Sequence, residues 1–198
     1  MARILIPGAS GAGKTSIKKS LEKQPQLVAY DKTDLDRIGH REVNDQARWF
    51  NDLRTLAVML MRPRIICLGI SNNWRQVARL PWDYIIPLVV SPEKVAERGV
   101  ARDEKEGRTR KSYEEYYTST HAFNQGVIPY YRETYPAKVP FHLDGDKSVG
   151  RIVTRLVGFV TQVQKNNLFK PSFFEWPSIS DYEKYLSQWT IDYSKEVK

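Results

Sequence analysis

Residues 8–15 follow the pattern G-x-x-x-x-G-K-[ST], and this segment constrains the fold more than any other part of the chain. An apolar run over residues 3–7 precedes the segment, and a helix-like stretch over residues 15–21 follows it. Glycines in such a loop let backbone N–H groups turn toward phosphate oxygens at the N-terminus of a helix. The sequence therefore predicts a strand, a phosphate-binding loop and a helix that together bind a nucleoside triphosphate.

The residues of this loop have distinct expected roles. Lys14 would reach the β- and γ-phosphates, because a lysine in a purely structural buried turn would have no use. The Thr15 hydroxyl would bind Mg²⁺, with Asp31 or Asp34 acting on the metal through water. The nucleotide is expected to contact Gly8, Ala9, Ser10, Gly11, Ala12, Gly13, Lys14, Thr15 and Ser16.

The length and composition predict one domain with a short C-terminal extension. The chain has 198 residues, of which 41% are hydrophobic, enough for one well-buried core. We assign residues 1–164 to this domain and the aromatic-rich residues 165–198 to the extension, which either covers an apolar patch or contacts a substrate or second subunit. Cys67 is the only cysteine and stands in an apolar run, which predicts a buried side chain and a reducing compartment.

No signal-peptide pattern and no apolar run of membrane-spanning length is found in the sequence. We therefore expect a cytoplasmic protein without a membrane partner. The oligomeric state, monomer or homodimer, is left open.

Short apolar runs alternate with helical patterns along the chain, which is typical of parallel strands joined by crossover helices. We expect an α/β fold, doubly wound, with a mainly parallel five-stranded sheet and helices on both faces. The predicted strands are residues 3–7, 27–30, 64–70, 84–90 and 139–143. The predicted helices include a long crossover helix over 43–61, one opened by Ser91 and Pro92, one opened by a capping box of Ser112 and Glu115, and one over 149–163.

Acidic residues follow the second predicted strand. They would lie at the C-terminal edge of the sheet, where doubly wound folds bind their ligands. A carboxylate there can accept the proton of an attacking hydroxyl. We favour Asp34 for this role, keep Asp31 as the alternative, and expect Asp36 to cap the helix or turn that follows.

The layout over about residues 1–160 resembles the P-loop nucleoside, nucleotide and polynucleotide kinases. In polynucleotide kinases a catalytic aspartate follows the P-loop lysine by about twenty residues, and an arginine three positions later holds a substrate phosphate; Asp34 and Arg37 match this spacing. The third strand of that family runs into an asparagine-bearing loop and an arginine, which Asn72, Asn73 and Arg75 resemble. The resemblance implies ATP and Mg²⁺ as cofactors and these residues as acceptor-binding groups.

A segment rich in arginine, at about residues 96–111, looks like the lid of nucleotide kinases. Arg98 and Arg102 would share one face of a helix. The resemblance implies that they close over the triphosphate and, with Lys14 and Asp34, form the catalytic set. Because acidic residues are mixed into the segment, a solvated charged helix is the alternative.

Several departures limit the resemblance. The third predicted strand ends without a Walker B aspartate, and Asp36 to Gly39 matches the D-x-x-G letters of a switch GTPase after the wrong strand and without a guanine-binding motif. The three histidines and Cys67 have no metal-ligand spacing. These features argue against a switch GTPase and against a transition-metal site.

The acceptor of the phosphoryl group is left with several candidates. A formal charge of +8 and a pI near 9.5 favour a polyanionic partner. Cations and tryptophans expected near the acceptor edge add to this: Arg41, Arg48, Arg75, Arg79, Trp74 and Trp82.

In size, charge and layout the chain is also similar to phage enzymes that phosphorylate the hydroxymethyl group of 5-hydroxymethyluracil in DNA. This similarity implies a nucleic-acid hydroxyl as acceptor and action in a host cytoplasm. The alternatives are a free nucleoside or (deoxy)nucleoside monophosphate kinase and, in another class, a nucleotide-sensing P-loop protein.

Overall fold

The computed structural model describes residues 2–42, 48–107 and 111–165. The strands are β1 (Arg3–Ile6), β2 (Asp31–Asp34), β3 (Gly39–Glu42), β4 (Arg48–Asn51), β5 (Ile65–Leu68), β6 (Tyr84–Ile85), β7 (Leu88–Val89) and β8 (Leu143–Asp144). The helices are α1 (Lys14–Leu21), α2 (Leu53–Leu60), α3 (Trp74–Arg79), α4 (Pro92–Lys105), α5 (Tyr113–Ala122), α6 (Ile128–Thr134) and α7 (Val149–Lys165).

A parallel sheet of four strands, in the order β2-β5-β1-β6, forms the centre of the described fold. All four residues of β5 are buried, as expected for an inner strand that helices cover on both faces. Ile6 of β1 and Asp34 of β2 both pair with Leu68 of β5, so these three strands end at the same edge. That edge positions the candidate site.

The predicted five-stranded sheet is corrected to this four-stranded sheet with a separate parallel pair of β7 and β8. The strand expected over 84–90 is divided into β6 and β7, with Pro87 between them. Proline has no N–H group to donate to a neighbouring strand, which explains the interruption. Leu88 still forms a parallel bridge with Gly8, just beyond β1.

The second strand lies four residues later than predicted. Residues Pro25–Leu27 form a 3₁₀ turn, and β2 begins only at Asp31. The apolar residues Leu27 and Tyr30 are buried, but they belong to this turn and the segment after it and not to a strand. Because β2 is an edge strand of the sheet, a polar sequence can form it. The shift decides which aspartate ends the strand.

The predicted long crossover helix is wrong in its first half. β3 and β4 form an antiparallel hairpin in which Gly39 pairs with Asn51, and the helix α2 begins at Leu53. The Asp52 side chain accepts hydrogen bonds from the backbone N–H groups of Arg54 and Thr55, which places the start of the helix there. Val43 and Ala47, which belonged to the predicted helix, lie outside the described residues.

Other local predictions are confirmed. The helix α4 begins with Pro92 after Ser91, and Ser112 and Glu115 form the capping box of α5 with both hydrogen bonds present. Cys67 is fully buried, and burial raises the pKa of its thiol to about 12. The predicted extension over 165–198 falls almost wholly outside the described residues. Within the described part of the chain, no helix combines the length and the apolar character that a membrane span requires.

Two asparagines attach the β3–β4 hairpin to the sheet edge. The Asn73 Oδ1 accepts from the Asn51 backbone N–H (2.9 Å) and the Ser71 hydroxyl (2.7 Å), and its Nδ2 donates to the Asn51 carbonyl (2.9 Å). The Asn51 Nδ2 in turn donates to the carbonyls of Leu35 and Ile38, in the turn after β2. The hairpin, the turn after β2 and the loop after β5 are thereby joined by buried hydrogen bonds.

Replacing Asn73 with Ala should therefore destabilise the protein by about 2–4 kcal/mol, because buried partners lose their hydrogen bonds. Asn72→Ala is the matched control: its exposed side chain accepts only one bond among those described, from the Trp49 N–H, so it should cost less than about 1 kcal/mol. Urea unfolding measures both. Equal losses would show that the hairpin does not depend on Asn73.

Candidate active site

The predicted phosphate-binding loop joins β1 to α1. Gly11 and Gly13 have φ angles of 86° and 89°, which L side chains rarely adopt. The side chains of Ser10, Thr15 and Ser16 are exposed, so solvent and ligands can reach them. The loop thus has the strand, the left-handed glycines and the helix that the sequence pattern predicts, and its contacts with a nucleotide stay a prediction.

Lys14 is the first residue of α1 and folds back over the loop. Its Nζ donates to the carbonyls of Gly8 and Ala9, both at 2.8 Å. Burial lowers the pKa of the Lys14 ammonium, while the charges of Asp36 and, to a lesser degree, Asp34 raise it. The lysine therefore lies within the electrostatic range of two carboxylates from the end of β2.

Asp34 and Asp36 frame a short 3₁₀ turn. Asp34 ends β2, and its Oδ1 accepts from the backbone N–H of Asp36 at 3.1 Å. Leu35, between them, is buried and anchors the turn in the core. Partial burial raises the pKa of the Asp36 carboxyl; Lys14 lowers it and Asp34 raises it. The turn holds the Asp34 carboxylate as a cap, and the exposed Asp36 carboxylate raises the pKa of Lys14.

The roles expected for these two aspartates are thus exchanged in part. Asp34 makes the capping hydrogen bond that we expected of Asp36, and Asp36 is the carboxylate with the larger electrostatic effect on Lys14. The sequence signal for this arrangement is the presence of two aspartates, separated by one residue, after a predicted strand. Because the predicted strand ended at residue 30 and not at Asp34, the sequence did not show which aspartate ends the strand.

The structure places Asp31 away from the predicted acceptor and metal site. Asp31 begins β2, pairs in register with Ile65 at the start of β5, and forms an ion pair with Arg62 at 2.7 Å. Three residues of a strand place it roughly 10 Å from Asp34, at the opposite edge of the sheet. Asp34 alone remains as the carboxylate that could act with Thr15 on a metal ion.

The remaining predicted acceptor-binding residues are spread around the same edge. Arg37 is exposed and close enough to Glu22 to contribute, after Lys18, to the lowered pKa of that carboxyl. Asn72 and Asn73 hold the hairpin, as described above. Arg41 lies in β3, opposite Trp49 of β4.

Trp82, expected near the acceptor edge, is 1% exposed and donates its indole N–H to the Val77 carbonyl, so it belongs to the core. Arg75, by contrast, is exposed at the start of α3. Its guanidinium lies over the Trp74 ring, 5.1 Å from the ring centroid.

The two lid arginines occupy different surroundings on α4. Arg98 donates to the Gly145 carbonyl at 3.4 Å, in the loop after β8. Arg102 donates to the Asp103 carboxylate (3.1 Å) and to the Tyr116 hydroxyl (2.5 Å). The Tyr116 hydroxyl donates to the other oxygen of buried Asp103. Arg102 therefore joins α4 to α5 in this structure.

Helices α4 and α5 also support the phosphate loop. A side chain at Gly11 would begin 3.0 Å from the Val95 methyl and 3.9 Å from the Tyr116 ring. The Tyr116 ring in turn covers Gly99, where a Cβ would stand 2.6 Å from two ring carbons. The position of α4 is thus coupled by packing to the loop. Residues 108–110 of the predicted lid lie outside the described residues.

Neither a protein-family model nor a curated protein matches the sequence. Solved structures do match. A gluconokinase from Sinorhizobium meliloti 1021 has a TM-score of 0.56 at 15% identity, over 86% of this chain and 97% of that chain. Shikimate kinase from Acinetobacter baumannii, in complex with shikimate, has a TM-score of 0.51 at 16% identity, over 86% of this chain and 96% of that chain.

The chain therefore has the α/β fold of the P-loop kinases. At these identities the similarity concerns the fold. Neither neighbour is a DNA kinase, so the resemblance to phage DNA-modifying enzymes receives no support from these comparisons.

Gly99→Ala should destabilise the protein by about 1–2 kcal/mol, because the overpacking of a methyl group against Tyr116 exceeds the gain in helix propensity. Gly158→Ala is the matched control, a glycine within α7 whose Cβ would meet nothing within 4 Å. It should stabilise by about 0.5–1 kcal/mol. Thermal unfolding followed by circular dichroism compares the two, and a stabilising Gly99→Ala would contradict the packing of α4 on α5.

Proposed function

We propose that this protein is an ATP-dependent phosphotransferase that transfers the γ-phosphoryl group to a hydroxyl of a free small molecule. The observation that carries the proposal is the grouping of Lys14 with Asp36 and Asp34 beside a phosphate-binding loop. The kinase fold of the two structural neighbours supports it. A nucleotide sensor would need the loop and the lysine, but it would have no use for a proton acceptor beside them.

The two carboxylates favour a hydroxyl over a phosphate as acceptor. A hydroxyl must lose a proton as it attacks phosphorus, and a positioned carboxylate can accept that proton. A phosphate group is already ionised, and carboxylates close by would repel it. The sequence analysis kept a nucleoside kinase and a nucleoside monophosphate kinase as alternatives. Of these two, the carboxylates favour the kinase whose acceptor is a nucleoside.

The residues around the phosphate loop are suited to Mg·ATP. Gly8 to Ser16 would surround the phosphates, Thr15 would bind the metal, and Asp34 would act on it through water. When bound, Mg·ATP supplies the phosphoryl group: the bond from the γ-phosphorus to the ADP oxygen breaks as the acceptor oxygen bonds to phosphorus.

Asp36 is the proposed proton acceptor for this reaction. Its side chain remains accessible, and its raised pKa brings its basicity closer to the working range than that of an ordinary aspartate. Lys14 stabilises negative charge on the transferred group. Arg98 stays a candidate lid arginine, whereas Arg102 would first have to exchange its bonds to Asp103 and Tyr116.

Asp36→Asn should lower kcat by about 10²–10⁴-fold and leave ATP binding intact, because it removes the proton acceptor and keeps the loop. Transfer from γ-labelled ATP to a panel of sugar acids, nucleosides and modified DNA measures the first, and calorimetric titration with ATP the second. Lys14→Ala should weaken both. Asp31→Asn is the matched control, because Asp31 begins β2 at the opposite edge of the sheet, and the variant should behave like wild type. Full transfer by Asp36→Asn would remove Asp36 from this role.

The pH dependence tests the electrostatic coupling of the two aspartates. Because the charge of Asp34 raises the pKa of Asp36, Asp34→Asn should lower that pKa and move the acid limb of kcat/KM to lower pH. An unchanged or upward-shifted acid limb would contradict the assignment of Asp36 as the base.

A further inference from the structure

An apolar wall begins at the phosphate loop itself. Ala9, whose carbonyl accepts from the Lys14 ammonium, is buried together with residues of the α5–α6 region. Half-buried side chains pack against this cluster and keep part of their surface open. The wall consists of Ala9, Ile70, Val89, Phe123, Val127 and Ile128.

The wall lies at the edge of the sheet where the phosphoryl group would be transferred. Ile70 stands two residues after Leu68, the end of β5, and Leu68 pairs with Asp34. On the other side, Phe123–Val127 forms a π-helical turn between α5 and α6. Such turns are frequent at functional sites because they alter which side chains a helix presents. The wall therefore includes residues at the same edge of the sheet as the turn that carries Asp36.

A second group of residues, the cation–aromatic platform, adjoins the wall. It consists of Trp74, Arg75 and Tyr130. The rings of Trp74 and Tyr130 meet edge to face at a centroid distance of 4.9 Å. The Arg75 guanidinium lies 5.1 Å from the Trp74 centroid and 5.7 Å from that of Tyr130. Because Arg75 is exposed, a planar guanidinium backed by aromatic rings is open to a ligand.

Wall and platform are connected along the chain. Trp74 begins α3 four residues after Ile70, and Tyr130 follows Val127 by about one helical turn. The platform thus stands on the same chain segments that carry part of the wall. We infer that an acceptor bound at this edge would have an apolar surface and a stacking surface on neighbouring segments.

We propose that the acceptor is a free nucleoside, with its sugar against the apolar wall and its base stacked on the cation–aromatic platform. The inference rests on the proposed phosphotransferase function and names its substrate class. A heteroaromatic base stacks on guanidinium and aromatic groups alike. A sugar acid would leave its charged carboxylate against apolar side chains, where it lacks partners, and it has no planar ring for the platform. The small-molecule kinases that share this fold favour a free nucleoside over a unit within a DNA strand.

The test combines acceptor binding in the absence of ATP with phosphoryl transfer. Calorimetric titration uses thymidine, deoxycytidine, deoxyadenosine, gluconate, shikimate and a single-stranded oligonucleotide containing 5-hydroxymethyluracil. At least one nucleoside should bind and accept label from γ-labelled ATP. Arg75→Ala should raise its Kd and KM about tenfold or more and leave the KM of ATP unchanged.

Two further variants separate a loss of recognition from a loss of folding, and Arg75→Ala itself alters only an exposed side chain that the core does not need. The first, Trp74→Leu, should weaken nucleoside binding in the same way. Arg64→Ala is the matched control: this exposed arginine directly precedes β5, at the sheet edge away from the site, and should behave like wild type.

The possible outcomes distinguish failure of the nucleoside proposal from failure of the phosphotransferase proposal. No binding of any nucleoside, or transfer to gluconate or shikimate unaffected by Arg75→Ala, would overturn the nucleoside and leave the phosphotransferase standing. Binding of the oligonucleotide alone would overturn the free nucleoside in favour of a DNA strand. Nucleoside binding that depends on Arg75, without transfer to any acceptor, would uphold the binding site and refute the proposed function.

Discussion

The electrostatic coupling of the Lys14 ammonium to two carboxylates is the interaction on which the candidate site depends. Burial alone would disfavour the charged form of Lys14, and Asp36 and Asp34 oppose that effect. They can do so only because β1, β5 and β2 are parallel and in register, so that the loop after β1 and the turn after β2 leave the sheet at one edge. The chemistry we propose requires the same three groups at the same place.

Packing and hydrogen bonding around this edge hold the site from two sides. The Asn51–Asn73 pair joins the hairpin to the turn that carries the aspartates, and α4 and α5 support the phosphate loop through Val95 and Tyr116. Both contacts use buried groups with few alternative partners, which makes them costly to lose. Neither contact touches the reacting atoms, yet each determines where those atoms can meet.

The fold is shared with a gluconokinase and a shikimate kinase, whereas the acceptor site that we propose depends on individual side chains of this sequence. Ile70 and Val127 form an apolar boundary next to the loop, and Arg75 stacks on Trp74 beyond it. A stacking surface favours acceptors with a planar ring, and an apolar surface disfavours a carboxylate, which needs partners that such a surface lacks. The basic composition, which favoured a nucleic acid at first, is equally compatible with a protein that binds phosphates and a nucleoside.

The sequence by itself determined the features that depend on neighbouring residues: the phosphate loop with Lys14, the capping box of Ser112 and Glu115, the start of α4, the apolar stripe of α7 and the burial of Cys67. Only the tertiary structure placed the aspartates, because a strand that begins four residues later puts Asp31 at the opposite edge and Asp36 within the electrostatic range of Lys14. It also joined Asn73 to the Asn51 backbone and Arg102 to the Tyr116 hydroxyl. Such contacts join residues distant in sequence and leave no local pattern.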